Sequence, residues 1–415
     1  MPSQPPSRHF VLTTTGTDGD LHPFYELGLT LRARGHRVTL ATHDHFEERS
    51  RKGGLEFLPL VSAAETQALV DQEALWSPLR GPRILARWGM RLVPRQYELL
   101  KAAVAEPGAH LVASPGVVAA RVVQETTRVP LTSIVLQPWL IPSAFAPPAM
   151  MGGLSPPSWS PHWLRQAHLR MVECMGTALI GRGLAQLRSP LGLPPIRRLF
   201  CWWFSPTRIV GLFPDGYGAP QPDWPPQVVL AGFPGTVGAS AGALPPEVEA
   251  FCAAGDPPIA VTFGTGMKHA STLFGDCLEA CRRLGRRGIF LTQYRDQLPS
   301  FLPPWALACA FAPFAALFPR CAAVVHHGGI GTTARALAAG CPQLILPLAF
   351  DQLDNALRVR RLQQGAWLPR RNRAASAITR ALSALDAGNQ TEPGQPLARR
   401  IREADGLIRT ADLLE

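Results

Sequence analysis

Short apolar runs alternate with stretches of helical period along most of the chain. Residues 10–14 read as a buried strand, 21–34 as an amphipathic helix stopped by Gly35, and 38–41 as the next strand. Helical patterns at 65–75, 83–105 and 117–127 then alternate with apolar runs at 111–113 and 131–136, which continues a parallel sheet. The texture changes at 138–161, where Pro, Ser, Met, Phe and Trp predict a mobile, greasy loop. A long helix over 165–187 and a strand over 210–213 lead into PDGYGAPQPDWPPQ, a proline cluster of the kind that marks a domain boundary. Past residue 245 the alternation resumes, with strands predicted at 259–263, 289–292, 307–311 and 366–368. Helices are expected at 270–284, 374–385 and 397–414.

The most informative stretch is 323–356, AVVHHGGIGTTARALAAGCPQLILPLAFDQLDNA. It reads as a strand, a glycine-rich turn, a helix stopped by Gly340, a second strand, and a polar loop with Asp351, Gln352 and Asn355 opening another helix. Gly328, Gly329 and Gly331 let the backbone come close to a ligand. Their amides, with the Thr332 and Thr333 hydroxyls, offer donors at the positive end of a helix dipole, which suits a phosphate. Two further glycine turns end predicted strands, TGTDGDLHP at 15–23 and Gly264-Thr265-Gly266. In a doubly wound sheet, strand carboxyl ends and helix N-termini face one crevice, and ligands bind there.

A chain of 415 residues suffices for two domains with separate cores, and 46% hydrophobic against 17% charged residues excludes a disordered chain. The net charge of +11 suits an anionic partner. No Lys/Arg run interleaved with aromatics tracks a nucleic-acid backbone, so the excess reads as a solvated basic face, the alternative being attraction toward an anionic lipid surface. No window of 18 uncharged apolar residues is present, and the first ten residues, MPSQPPSRHF, lack the order of a signal peptide. The eight cysteines form no C-x-x-C pair and read as reduced core residues, which gives a cytoplasmic expectation, peripheral at the membrane face if it meets one.

His327, Pro342 fifteen residues on, and Asp351 with Gln352 at the close resemble the donor-binding signature of family 1 glycosyltransferases, the nucleotide-sugar enzymes of the GT-B fold. Gly16-Thr17-x-Gly19-Asp20-x-x-Pro23, with Arg34-Gly35-His36-x-Val38, is similar to the opening of bacterial members and of sterol glucosyltransferases. Residues 196–234 look like rhamnolipid rhamnosyltransferases.

The resemblance implies an α/β protein of GT-B fold, with two Rossmann-like doubly wound domains facing a central cleft. Residues 1–227 would bind the acceptor, 228–244 link the domains, 245–396 bind the donor, and the helix at 397–415 pack back on the first domain. It also implies roles. Asp20 would be the base on the acceptor hydroxyl, with His22 the alternative. His327 (or its neighbour His326), Gly328, Gly329, Gly331, Thr332, Thr333 and Thr265 would hold the donor phosphates, Asp351 and Gln352 the sugar, and Phe311, Pro313 and Arg335 the nucleoside. Plant members carry Glu where this chain has Arg335, which favours a dTDP-sugar over a UDP-sugar.

The reaction expected is an inverting transfer without metal or other cofactor, the nucleotide-sugar being a co-substrate. Its first form moves L-rhamnose from dTDP-L-rhamnose to a 3-(3-hydroxyalkanoyloxy)alkanoate, with room for a partner enzyme that supplies the lipid. Its alternatives are a UDP- or other dTDP-sugar on a sterol, polyketide or other apolar acceptor, a GT-B-like sugar-nucleotide epimerase, and a non-catalytic partner subunit.

Overall fold

The computed structural model describes residues 7–150, 155–157, 159–234, 242–388 and 395–415. The chain divides into two compact units. The first takes Met1–Pro148, Gly152–Pro234 and Gly406–Glu415, and the second Ala149–Met151 and Gly235–Asp405.

In the first unit the strands are β1 (His9–Thr13), β2 (Arg37–His43), β3 (Glu56–Val61), β4 (Ala109–Ala113), β5 (Leu131–Val135), β6 (Ile209–Gly211) and β7 (Val228–Leu230). They form one sheet in the order β3-β2-β1-β4-β5-β6-β7, every neighbour parallel. Phe10, Val11 and Leu12 of β1 are wholly buried, as expected of an apolar run covered on both faces. Helices Gly81–Ala103, Val118–Thr127 and His162–Arg188 cover one face through Tyr97, Leu100, Val122, Val123 and Leu184.

The second unit holds β8 (Ile259–Thr262), β9 (Gly288–Leu291), β10 (Ala306–Cys309), β11 (Ala323–His326), β12 (Gln343–Ile345) and β13 (Gly365–Trp367), again all parallel, in the order β10-β9-β8-β11-β12-β13. Each sheet therefore reverses its winding once, between β1 and β4 in the first unit and between β8 and β11 in the second. Those are the positions where doubly wound sheets open a crevice at their carboxyl ends. The α/β doubly wound class expected of the sequence is what the chain adopts.

Four elements differ from the sequence expectation. β3 carries Pro59 and was not anticipated; it is the edge strand, where a missing backbone donor is tolerated. Val228–Leu230, expected as the start of a link, forms β7 at the opposite edge, while 235–241 lie outside the described residues. The expected helix 397–414 is two helices, Gln395–Glu403 and Gly406–Leu414; the second belongs to the first unit, where the Gly406 amide donates to the Phe233 carbonyl at 3.1 Å. The predicted mobile loop 138–161 is fixed at its start. Ile141, Ser143 and Ala144 are buried there, and the Asp223 carboxylate accepts from Ser143 Oγ at 2.6 Å and the Ala144 amide at 2.7 Å. Its residues 151–154 and 158 lie outside the described residues.

Candidate active site

At the carboxyl end of β1 the chain turns at Gly16 into the helix Asp18–Ala33, three residues earlier than the apolar pattern starts. The reason is a capping box: Thr17 is the N-cap and Asp20 the third helical residue. Asp20 Oδ2 accepts from the Thr17 amide at 2.9 Å and from Thr17 Oγ1 at 3.2 Å, and Oδ1 accepts no hydrogen bond from the described residues. Burial raises the Asp20 carboxyl above its ordinary value, against the two Thr17 bonds that pull it down. His22 sits about 200° further round the helix, with its ring edge-on to Phe46 at 5.4 Å, so the two candidate bases form no pair.

A residue that the sequence did not single out holds this turn. His43, the last residue of β2 and almost wholly buried, accepts from the Gly16 amide through Nε2 at 3.2 Å. Its Nδ1 lies 2.7 Å from Thr66 Oγ1, and that hydroxyl donates to the Ser62 carbonyl at 3.1 Å. Only the tautomer with its proton on Nδ1 satisfies the whole chain. Burial holds His43 at about 4, so it is neutral near pH 7.

In the second unit the two histidines at the end of β11 part company. His326 is fully buried; its Nδ1 accepts from the Gly328 amide at 3.1 Å and its Nε2 donates to Gln343 Oε1 at 2.9 Å. Every hydrogen-bonding position on that ring is occupied. His327 is half-buried, and its Nδ1 has no partner among the described residues. Burial alone lowers it to about 4, so it stands as a neutral imidazole. Its ring lies between two glycines: a Cβ at Gly329 would fall 2.6 Å from Nε2, and one at Gly264 2.9 Å from Cε1. The Gly264–Thr265 turn after β8 and the Gly328–Gly331 turn after β11 thus meet at His327.

Gly329 is the N-cap of the helix Ile330–Ala339, whose first-turn amides have no intrahelical partner. Thr332 and Thr333 are both buried, and the Thr333 hydroxyl donates to the Gly329 carbonyl at 2.9 Å, which commits it to the turn. Thr265 is exposed, and its carbonyl accepts from Gln293 Nε2 at 2.7 Å. Arg335 is half-buried further along the helix.

Asp351 and Gln352 close the loop after β12. The Asn355 amide donates both to the Gly328 carbonyl at 2.9 Å and to Asp351 Oδ2 at 2.7 Å, tying Asp351 to the glycine turn. Gln352 Oε1 accepts the Leu348 and Ala349 amides at 2.7 and 2.9 Å, holding a loop in which Phe350 has φ +55°. Such a conformation in a bulky residue stores strain, a common property of ligand-binding loops. Phe311 follows β10 and is 65% exposed; Pro313 beside it starts the short helix Phe314–Leu317. β10 lies three strands from β11, or about 14 Å at ordinary strand spacing.

Residues 10–145 match the glycosyltransferase family 28 N-terminal domain, and residues 289–402 the erythromycin biosynthesis protein CIII-like C-terminal domain. Over 414 residues the chain is 31% identical to the O-mycaminosyltylonolide 6-deoxyallosyltransferase of Streptomyces fradiae, covering 95% of this chain and 92% of that protein. The chain belongs to the GT-B glycosyltransferase superfamily of families 1 and 28. This glycosyltransferase is also 29% identical over 367 residues to a sterol 3-beta-glucosyltransferase of Arabidopsis thaliana; the match takes in 84% of the chain but spans only 55% of the plant protein. The fold is that of the crystal structure of the glycotransferase of kitacinnamycin, at TM-score 0.75 and 21% identity over 99% of both chains. No helix among the described residues is long and apolar enough to cross a membrane. The rhamnolipid likeness of residues 196–234 gains no support from these relatives.

Proposed function

We propose that this glycosyltransferase moves a sugar from a nucleoside diphosphate donor to a hydroxyl of a small polycyclic or macrocyclic acceptor, in one inverting displacement without a metal. The observation that carries the reading is His327: a neutral ring with an uncommitted nitrogen, set where two glycine turns meet at the switch point of the second sheet. Leaving pyrophosphate gains charge as the glycosidic bond breaks. Fixed donors stabilise that charge, and His327 with the amides of Gly329 to Thr332 and the Thr265 turn supply them. The span from β11 to the exit of β10 suits a nucleoside diphosphate with its base on Phe311.

In the first unit Asp20 is the base. Thr17 holds one carboxylate oxygen, and the other takes the proton of the acceptor hydroxyl as its oxygen attacks the anomeric carbon. Asp351 and Gln352 orient sugar hydroxyls. Arg335, in place of a ribose-binding Glu, favours a deoxyribose nucleotide. The names of the relatives, a sterol and a tylonolide transferase, support the acceptor class.

The test mixes purified protein with dTDP-rhamnose, dTDP-glucose or UDP-glucose and with a sterol, a macrolide aglycone or a 3-hydroxyalkanoyl lipid, all in EDTA. Mass spectrometry should find a glycosylated sterol or macrolide from a dTDP-sugar. Product on the lipid alone would return the acceptor to the rhamnolipid type, and product only after adding a divalent metal would overturn the scheme.

A further inference from the structure

The long helix His162–Arg188 of the first unit buries only Leu184 and Arg188 fully. Its outward side carries an apolar stripe as far as Leu179, beyond which the exposed Arg182 and Gln186 continue the same arc. Trp163 is 68% exposed and Met175 56%, and Leu164, Met171 and Leu179 are exposed with them. At about 100° per residue, Leu164, Met171, Met175 and Leu179 fall within an arc of about 80°. Its one acid, Glu173, is half-buried and accepts the Phe200 amide at 2.7 Å, so the exposed charges are Arg170 and Arg182. Large apolar side chains exposed together along one helix mark a contact surface.

The helix Gly81–Ala103 packs beside it, with Met90 against Gly183. Arg83, Arg87 and Arg91 recur every fourth residue along its exposed side, and among the described residues they make no ion pair. No acid occurs between Leu79 and Tyr97.

We infer that these two helices form a docking surface for an anionic lipid bilayer. Met and Leu side chains would enter the headgroup boundary, Trp163 would sit at the interface, and the arginine stems would lie along the apolar surface with their guanidinium groups at lipid phosphates. Charge complementarity selects this occupant. From residues 80–96 and the helix His162–Arg188, a second copy of the chain would bring to this face no exposed acid to answer the arginines, and a neutral apolar partner would likewise leave them unanswered.

The test is co-sedimentation of the full chain with vesicles of phosphatidylcholine alone or mixed with phosphatidylglycerol, at low and high salt, alongside light scattering without lipid. The expected result is binding to the mixed vesicles that salt weakens. R87A/R91A should lower it by about fivefold for each arginine, and M171E/M175E should abolish it, both with wild-type melting temperature and wild-type turnover on a water-soluble acceptor. Wild-type protein that stays in the supernatant with anionic vesicles would overturn the inference. So would undiminished binding by both variants, or a dimer in free solution that M171E/M175E dissociates.

Discussion

Two glycine turns, one in each unit, border the switch point of their sheets, one after the first strand and the other after the fourth, and are finished in opposite ways. After β1, the Gly16 amide is taken by His43 and the Asp20 carboxylate folds back onto the head of its own helix, so the turn ends in a held anion with one oxygen open among the described residues. After β11, Gly328 is taken by His326, but among the described residues His327 keeps an unpartnered nitrogen and the helix head keeps its first amides. The first turn presents an acceptor of protons and the second a set of donors. Topology thus fixes where chemistry can occur, and the residues that finish each turn fix its sign.

The contrast breaks first at Asp20. Asp20→Asn keeps an oxygen for the Thr17 amide, so stability should hold within about 1 kcal/mol, while turnover should fall by about 10² to 10⁴ if the carboxylate is the base. A base must be ionised and burial raises this carboxyl, so wild-type kcat/KM should fall as pH drops through a value above 3.8, and the variant should lose that limb. Activity reduced by less than tenfold would leave Asp20 a helix cap and nothing more.

The adjacent histidines come next. His327→Ala should lose about 3 kcal/mol of transition-state stabilisation, roughly 10² in kcat, with an unchanged melting curve, because its Nδ1 has no protein partner among the described residues. His326→Ala strips the Gly328 amide and Gln343 of a partner and should destabilise the chain by about 1–3 kcal/mol for each group left bare. The reverse pattern would exchange their roles.

Buried histidines also set the acid limit. His43 in the first unit is held at about 4 and His326 in the second at about 3, against an ordinary 6.5. The unfolded chain takes up these protons first. Their contribution to stability is therefore complete above 6.5 and is lost as pH falls toward 4, by about 1.4 kcal/mol per pH unit for each ring. His43→Gln should flatten the first unit's share in pH-dependent denaturant melts and, by releasing Gly16, slow turnover by about ten- to a hundredfold. A wild-type slope in that variant would show that His43 is already charged in the native chain.

How much of this was legible without coordinates follows from the range of each interaction. Most strands of both sheets, the glycine turns and the order of the carboxyl-end loops are local patterns, and the sequence shows them. β3 was hidden because Pro59 argues against a strand unless the strand is known to lie at an edge. The break before Gly406 was hidden because the helical period runs through it; only the distant Phe233 carbonyl, in the other stretch of the same unit, makes the division visible. His43 ends an apolar strand and reads as core, since its partners Gly16 and Thr66 lie 27 and 23 residues away. The roles of His326 and His327 could not be separated until Gln343, 17 residues on, was seen beside the first.

The smallest effect tests the finishing of the second turn itself. Thr333 was expected to offer its hydroxyl to a phosphate, but it is buried and donates to the Gly329 carbonyl at 2.9 Å. Thr333→Val keeps the shape and removes that bond. The Gly329 carbonyl still accepts the Thr333 amide at 3.0 Å, so no acceptor is left bare and the cost should be about 1 kcal/mol in a thermal melt. Donor KM should change by less than tenfold, because the amides and His327 that face the ligand stay where they are. A larger rise in KM at unchanged stability would mean that the hydroxyl turns from Gly329 to the pyrophosphate once donor binds. The second turn would then be remade by its ligand, while the first is complete beforehand.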